Sequence, residues 1–424
     1  MNKHPQIIIA IIIILLLIFC NYLKPIKMKY FDQKISQQDP ILENILLDNN
    51  YNKENKSVLR QKLKNVDVDN IDLVLANLRN LNNFEERDNT KELVNEKRNT
   101  IFNDAVVKPT ILTLSNENKI IKKYRLWKLF SENLPKEDLK SILPPTYNLL
   151  SSEDIQKINQ ISNYENNPEF VLKSENSRIN STYVSNNDMS DLLRQINNRN
   201  KYYTRQFSER IVNYQRLNSM RYTIAQRFIN NQLLINDHHF KVKCYLLITR
   251  YNQETNGYLY KNGHIYYAKE RFNPLQINRF NTIASRNNMF YNRSKEEIQS
   301  IYKDMPRSIL QWKEYLEKNN IDFNKPLDNL VELTKVICHL CALNLGNSLI
   351  SVDNESFGLY ELDVFFKDNY KPLILKISNV KAFDNPTPIE RKIRKNVWND
   401  TLEKNNLIPD KDGLNGMKLI YSSN

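Results

Sequence analysis

Residues 357–383, FGLYELDVFFKDNYKPLILKISNVKAF, constrain this chain more than any other stretch. Two apolar runs, FGLYELDVFF and PLILKIS, flank the polar segment KDNYK. Alternating, aromatic and β-branched residues bounded by Asp, Asn and Pro predict a β-hairpin. Asp363 stands in the middle of the first run. A carboxylate inside an apolar strand is costly unless a metal, a base or a backbone donor meets it. Lys376 of the second run can be that partner if the two strands are neighbours.

A chain of 424 residues with 41% hydrophobic and 10% aromatic residues is long enough for one large or two ordinary domains. Its six glycines leave little material for loops that cradle phosphate with backbone N–H groups. The formal net charge of +13 suits acidic partners such as acidic protein tails or anionic lipid, and it also follows from plain abundance of Lys. No specific nucleic-acid binding is expected. Of the four cysteines, Cys338 and Cys341 share a helical face with Val331, Thr334 and Ile337, which reads as core; a single CxxC is weak evidence for zinc. Cys20 and Cys244 lie in apolar runs, and no disulfide framework is implied.

The N-terminal part reads separately. Residues 1–6 form a short tail, and 7–20, IIIAIIIILLLIFC, are continuously apolar. Extended to Leu23, the segment reaches about 25 Å as a helix against a hydrocarbon core of roughly 30 Å. Snorkelling of Lys24 and Tyr22 lengthens its reach. It reads as a transmembrane signal-anchor over 7–23, since a small-x-small cleavage site is absent. Lys24, Lys27 and Lys29 follow it and only Lys3 precedes it, which places the body in the cytoplasm of a single-pass membrane protein. The alternative is a secreted chain or one facing the lumen of the endoplasmic reticulum. Residues 24–104 are polar and charged, with Leu59, Leu63, Val66, Ile71, Val74, Leu75, Leu78 and Leu81 near helical spacing. They predict a helical stalk and a solvated linker. Short apolar strands and helices fill 105–408, and 409–424 read as a C-terminal tail.

Several segments of the body, in order, carry a resemblance. LPPTYNLLSSEDI at 143–155 is a proline-rich strand followed by a helix start. FVLKSENSRINSTYVSNNDMSDLL at 170–193 is a lysine-bearing hairpin. IAQRFINNQLLINDHHFKVKCYLLIT at 224–249 ends in a strong strand, and GYLYKNGHIYYAKERF at 257–272 reads as a hairpin, with an Asn262-Gly263 turn signal between alternating residues. INRFNTIASRNN at 277–288, the Asp363 hairpin and PTPIERKIRKNVWNDTL at 386–402 follow. Together these resemble the tubulin–tyrosine ligase family, whose members have an ATP-grasp-like α+β fold and join an amino acid to a protein carboxylate using ATP and Mg²⁺.

The resemblance implies roles residue by residue. Lys173 matches the lysine that contacts nucleotide phosphates, Arg178 the first loop arginine, and Gln226 a glutamine before the adenine crossing. Asp363 matches a metal-binding aspartate. Departures are concentrated at the charge-handling positions. The Glu-x-Asn triplet of metal ligands reads Lys376-Ile377-Ser378, and Ile179, Asn180 and Ser181 replace Gly-Arg-Gly in the phosphate loop. The family's Lys-Phe-Asp-x-Arg reads His239-Phe240-Lys241-Val242-Lys243, and Tyr266 replaces an arginine. Lys243 keeps the charge of the arginine but not its bidentate fork. No residue qualifies as an intact catalytic group, and the degenerate positions are Lys243, Lys376 and Ser378.

The pattern implies a pseudoenzyme that binds an acidic protein such as tubulin, with Lys376 satisfying Asp363 in place of a metal. An active, divergent amino acid ligase and a secreted or structural effector are the alternatives. Arg391, Lys392, Arg394 and Lys395 on the closing helix are the surface expected either to face an acidic tail or to be solvated.

Overall fold

The computed structural model describes residues 118–164, 169–173, 222–251, 254–273, 283–290, 293–344, 356–380, 386–405 and 416–423, with short pieces at 73–74, 110–112 and 183–184 and a few isolated positions. The apolar segment at 7–23, nearly all of the stalk and Arg178 lie outside them. Among the described residues no helix is long and apolar enough to cross a membrane.

Two antiparallel-dominated sheets and the helices around them make an α+β fold, as the alternation of short strands and helices predicts. In chain order the elements begin with β1 (Leu73–Val74) and β2 (Thr110–Leu112). Then come α1 (Asn118–Ile121), α2 (Lys123–Asn133), α3 (Lys136–Ile142), β3 (Thr146–Asn148) and α4 (Ser152–Tyr164). β4 (Phe170–Lys173), β5 (Tyr183–Val184), β6 (Ile224–Arg227), β7 (Leu234–Ile235), β8 (His238–Tyr251), β9 (Glu254–Tyr260) and β10 (His264–Tyr267) follow. The chain closes with α5 (Arg286–Phe290), α6 (Lys295–Ile301), α7 (Ile309–Lys318), α8 (Asn324–Asn344), β11 (Ser356–Phe366), β12 (Pro372–Asn379), α9 (Pro388–Lys404) and β13 (Met417–Ser422).

β8 and β11 are the two long central strands of the larger sheet, antiparallel to each other from Ser356 opposite Arg250 to Val364 opposite Val242. β12 pairs antiparallel with β11, so the predicted hairpin is present. Period-two alternation gives the β8–β11 pair two different faces. Phe240, Val242, Cys244, Leu246 and Ile248 of β8, with Leu362, Val364 and Phe366 of β11, point into the main core. There they pack with Trp312 and Leu316 of α7, with Leu330, Leu333 and Ile337 of α8 and with Leu126 and Phe130 of α2. On the opposite face Tyr245 and Leu247 of β8 and Phe357 and Leu359 of β11 pack under Ile393, Val397, Trp398 and Leu402 of α9. Beyond that apolar end the same face turns charged, with Lys241 and Lys243 on β8 and Glu361 and Asp363 on β11.

The smaller sheet runs β3–β6–β4–β5, all neighbours antiparallel. Phe170, Leu172 and Ala225 form its own core with Ile158 of α4. The alternate positions, Lys173 and Gln226 among them, lie on the other face.

Three sequence readings change. The Asn262-Gly263 step does not close a hairpin between β9 and β10, because both pair with the same strand: Leu259 lies opposite Leu246 and His264 opposite Lys243. Residues 260–263 between them lie opposite only 244 and 245 of β8, an insertion in the paired strand. A Cβ at Gly263 would sit 2.2 Å from the Lys243 carbonyl oxygen, so only glycine fits this approach. The Asn262 side chain accepts from the backbone N–H of Gly263 at 2.8 Å and of Leu310 at 3.3 Å. Within the stretch read as a helical stalk, Leu73–Val74 instead pairs in parallel with β2, because a short apolar run satisfies either period. The folded unit does not end at 408: β13 pairs antiparallel with β9, and Met417 is buried beside Tyr260.

Helix starts follow local chemistry. Thr387 accepts from the Glu390 N–H while the Glu390 carboxylate returns to the Thr387 N–H, a capping box with Pro388 in the first turn. Ser294 and Glu297 do the same for α6.

Candidate functional site

The charged half of the β8–β11 face is the candidate site. Asp363 is the register partner of Lys243 on one side and of Lys376 on the other. Its carboxylate receives the Lys241 ammonium at 2.9 Å and the Lys243 ammonium at 3.3 Å. Lys243 also donates to Glu361 at 2.5 Å. The side chains of this network are only 4% to 13% exposed. Burial by itself would raise the Asp363 carboxyl, but the ammonium groups of Lys241, Lys243 and Lys376 outweigh it and hold the carboxyl well below the usual range. Lys243 is pushed the other way: burial would lower it, and the Asp363 and Glu361 carboxylates hold it above the usual lysine range.

Lys173 reaches this network from the smaller sheet. It donates to the Gln226 side-chain oxygen at 2.6 Å, and the Gln226 amide donates to Thr146 at 3.1 Å. Burial, with repulsion from Lys241 and Lys376 and partial compensation by Asp363, lowers its ammonium to about 8. The two sheets thus bring Lys173 and Gln226 to the same charged region as Asp363. Ser378, two residues beyond Lys376 on β12 and opposite Glu361, is buried on the same side.

The expected partnership of Lys376 with Asp363 holds in register, and the carboxylate also makes close ion pairs with Lys241 and Lys243 of β8. Glu361 was not singled out from the sequence. Its signal was the Glu-x-Asp spacing in FGLYELDVFF, which puts Glu361 and Asp363 on one face.

A second buried polar group borders the first. Tyr266 donates to Glu390 at 2.8 Å and Arg286 to the same oxygen at 2.7 Å. Burial would raise the Glu390 carboxyl, yet the Arg286 bond, the Thr387 N–H and the Tyr266 bond lower it. His264 hydrogen-bonds the Tyr245 hydroxyl at 2.9 Å and is held neutral by burial, down to about 3. Tyr266, where the resemblance places an arginine, therefore anchors the start of α9. Arg394, read from the sequence as part of a surface run, is 1% exposed and faces the sheet with Ile393 and Val397. Only Arg391, Lys392 and Lys395 of that run are at the surface.

The donor set does not fit a divalent cation. The Asp363 oxygens are shared between two ammonium groups, and a third lysine stands opposite in register. Hard cations take oxygen ligands, and ammonium groups at that position repel them. Lys173 and Gln226 hydrogen-bond each other, with the Gln226 amide bonded on to Thr146.

Two antiparallel-dominated sheets with helices around them are consistent with an ATP-grasp-like α+β fold. The tubulin-tyrosine ligase family model matches residues 108–414, and the chain belongs to that family. The chain is 24% identical over 188 residues to the mouse tubulin polyglutamylase TTLL5, covering 42% of this chain and 14% of that protein. It is 26% identical over 208 residues to a probable beta-tubulin polyglutamylase of Tetrahymena thermophila, covering 44% of this chain and 17% of that protein. A probable alpha-tubulin polyglutamylase Ttll1 of the same ciliate is 24% identical over 201 residues, covering 43% of this chain and 46% of that protein. The matched part spans less than a fifth of the first two relatives and less than half of the third.

Proposed function

We propose that this member of the family acts by binding an acidic protein, tubulin or a similar acidic tail, and does not catalyse amino acid ligation. The observation that carries the reading is the Asp363 carboxylate shared by Lys241 and Lys243. Ligation on ATP requires a site that concentrates Mg²⁺ and phosphate charge, and here lysines stand at three of the charge-handling positions. Similarity to proteins named tubulin polyglutamylases supports tubulin as the partner. The net charge of +13 supports an acidic surface in general. In this reading ATP and Mg²⁺ are the family's cofactors and not this chain's. The apolar segment at 7–23 holds the body at a membrane on its cytoplasmic side, which protease protection of intact membranes tests.

The function is tested by incorporation of labelled glutamate, glycine or tyrosine into tubulin with ATP and Mg²⁺. None is expected from the wild-type chain, while salt-sensitive capture of the chain by tubulin tails is expected. Incorporation that disappears in Asp363→Ala would establish an active ligase instead.

A further inference from the structure

From the start of α5 to the residue before the Ser308 cap of α7, three arginines and two aromatic rings alternate in space. Arg286 and Arg307 both lie over the Phe290 ring, at 5.2 and 5.9 Å from its centroid. Arg307 and Arg293 both lie over the Tyr302 ring, at 5.7 and 5.6 Å. Tyr302 is held in place: it stacks on Tyr267 with centroids 5.5 Å apart, and its hydroxyl donates to the Ala268 carbonyl at 3.1 Å. Arg307 is fixed through its backbone. Its carbonyl accepts from the Ile265 N–H at 3.0 Å, and its own N–H donates to the Gln311 side chain at 2.8 Å.

The three guanidinium groups are not equally satisfied. Arg286 donates from two nitrogens to the two oxygens of Glu390, at 2.7 and 3.3 Å. Arg293 donates to the Tyr302 hydroxyl at 2.6 Å and to the Lys269 carbonyl at 2.8 Å, both neutral acceptors. The half-buried Arg307 guanidinium makes no hydrogen bond and no ion pair among the described residues, and rests on the two rings. Burial lowers it from its usual value, and the Tyr267 hydroxyl and the Glu390 carboxylate only partly offset that. Contact with ring faces consumes none of its five N–H donors, which form a fork that matches a planar acceptor.

We propose that Arg307, with Arg293 beside it, is the docking point for carboxylate side chains of an extended acidic polypeptide, at a surface separate from the Asp363 network. This rests on the reading that the chain binds an acidic protein, and deepens it by naming the surface. Arg286, on the same Phe290 ring, already holds a carboxylate with its fork, so the ring-stacked arrangement suits that group. The remaining charge is divided between two guanidinium groups on one ring. Alternate residues of an extended segment recur every ~7 Å, so a run of acidic residues can meet both. Arginine and tyrosine are also the side chains that most often carry binding energy in protein interfaces.

The test is fluorescence anisotropy of a labelled decaglutamate peptide titrated with the full chain at low and at moderate salt. Arg307→Gln should weaken binding about tenfold. Arg307→Lys keeps the charge and loses the fork, and should weaken it about threefold. Lys140→Gln removes one positive charge from exposed α3 and should change binding less than about twofold. Equal losses in Arg307→Gln and Lys140→Gln would mean attraction by net charge alone and overturn the proposal. A larger loss in Lys392→Gln moves the contact to α9 and overturns it too. A second arm titrates inorganic phosphate: binding tighter than that of the peptide, and lost in Arg307→Gln, reassigns the ligand and overturns the proposal. Because the Arg307 side chain carries no hydrogen bond in the fold, Arg307→Gln should keep the wild-type thermal midpoint; if it does not fold, Arg307→Lys decides. Peptide binding unchanged in a folded Arg307→Gln sinks only this inference, whereas no salt-sensitive binding by the wild type sinks the functional reading as well.

Discussion

Replacing Lys243 by Met should destabilise the chain by about 3 to 5 kcal/mol, the cost of leaving a buried carboxylate without its cation. The magnitude comes from the geometry. The ammonium stands 2.5 Å from a Glu361 oxygen and 3.3 Å from an Asp363 oxygen. At an effective dielectric near 20, each attraction at about 3 Å is worth roughly 5 kcal/mol before desolvation is counted. Desolvating all three groups takes back most of that, so the intact network is near neutral. Removing only the lysine keeps the desolvation and loses the attraction. Asp363 retains Lys241, but the Glu361 side chain, 4% exposed, loses its close ion pair. Urea unfolding followed by tryptophan fluorescence reads the loss through Trp312 and Trp398, both buried in the body. The double variant Lys243→Met with Glu361→Leu should recover most of it. The pH dependence has a definite sign. Asp363 titrates below its unfolded value, so its contribution is present above about pH 4 and fades as pH falls. Lys243 titrates above its unfolded value, so its contribution is present below about pH 10 and fades as pH rises. The gap between wild type and Lys243→Met should therefore be flat between those limits and narrow outside them. A single-variant loss below about 1 kcal/mol, or a double variant no more stable than the single, refutes the argument.

Gly263→Ala should lose about 1 to 3 kcal/mol in the same urea assay, since its Cβ meets the Lys243 carbonyl oxygen at 2.2 Å and Ile309 at 2.9 Å. Tyr266→Phe removes one of the donors to the buried Glu390 and should cost about 1.5 to 3 kcal/mol, with proteolysis near the start of α9 as a local readout. Burial pushes the thiols of Cys244 and Cys338 up to about 12 and that of Cys341 well above its usual value, so all three should resist iodoacetamide at pH 8 until the chain is unfolded, as peptide mass mapping would show. In Lys376→Glu with Ser378→Asn, Mg²⁺ should raise the thermal unfolding midpoint, and in the wild type it should not.

The hairpin and the strand VKCYLLIT were legible because both faces of β11 and β8 carry a period-two pattern, apolar on one side and switching from aromatic to charged on the other. The need of Asp363 for a cation was legible for the same reason. That Lys241 and Lys243 of β8 also supply it was not, because the Lys243–Glu361 bond spans 118 positions and strand pairing at that separation leaves no local mark. The Asn262-Gly263 signal was read as a hairpin because turn chemistry reports a local bend and not which strand the chain pairs with next. Arg394 did carry a signal that was passed over. It lies four residues after Glu390 and four before Trp398, on the stripe with Ile393 and Val397 that α9 presents to the sheet.

The position of the charges also sets how much a restored carboxylate at Lys376 can achieve. Lys241, Lys243, Glu361 and Asp363 are not on loops at the rim of the fold. They occupy the middle of its two longest central strands, with the main core on the reverse side of each. An ion pair placed there is a condition of pairing β8 with β11, since an unpaired charge at either strand would stand inside the sheet against the start of α9. Restoring one carboxylate at Lys376 leaves Lys241 and Lys243 where they are, still bonded to Asp363. Metal-dependent chemistry at Asp363 would first have to displace Lys241 and Lys243 from its carboxylate.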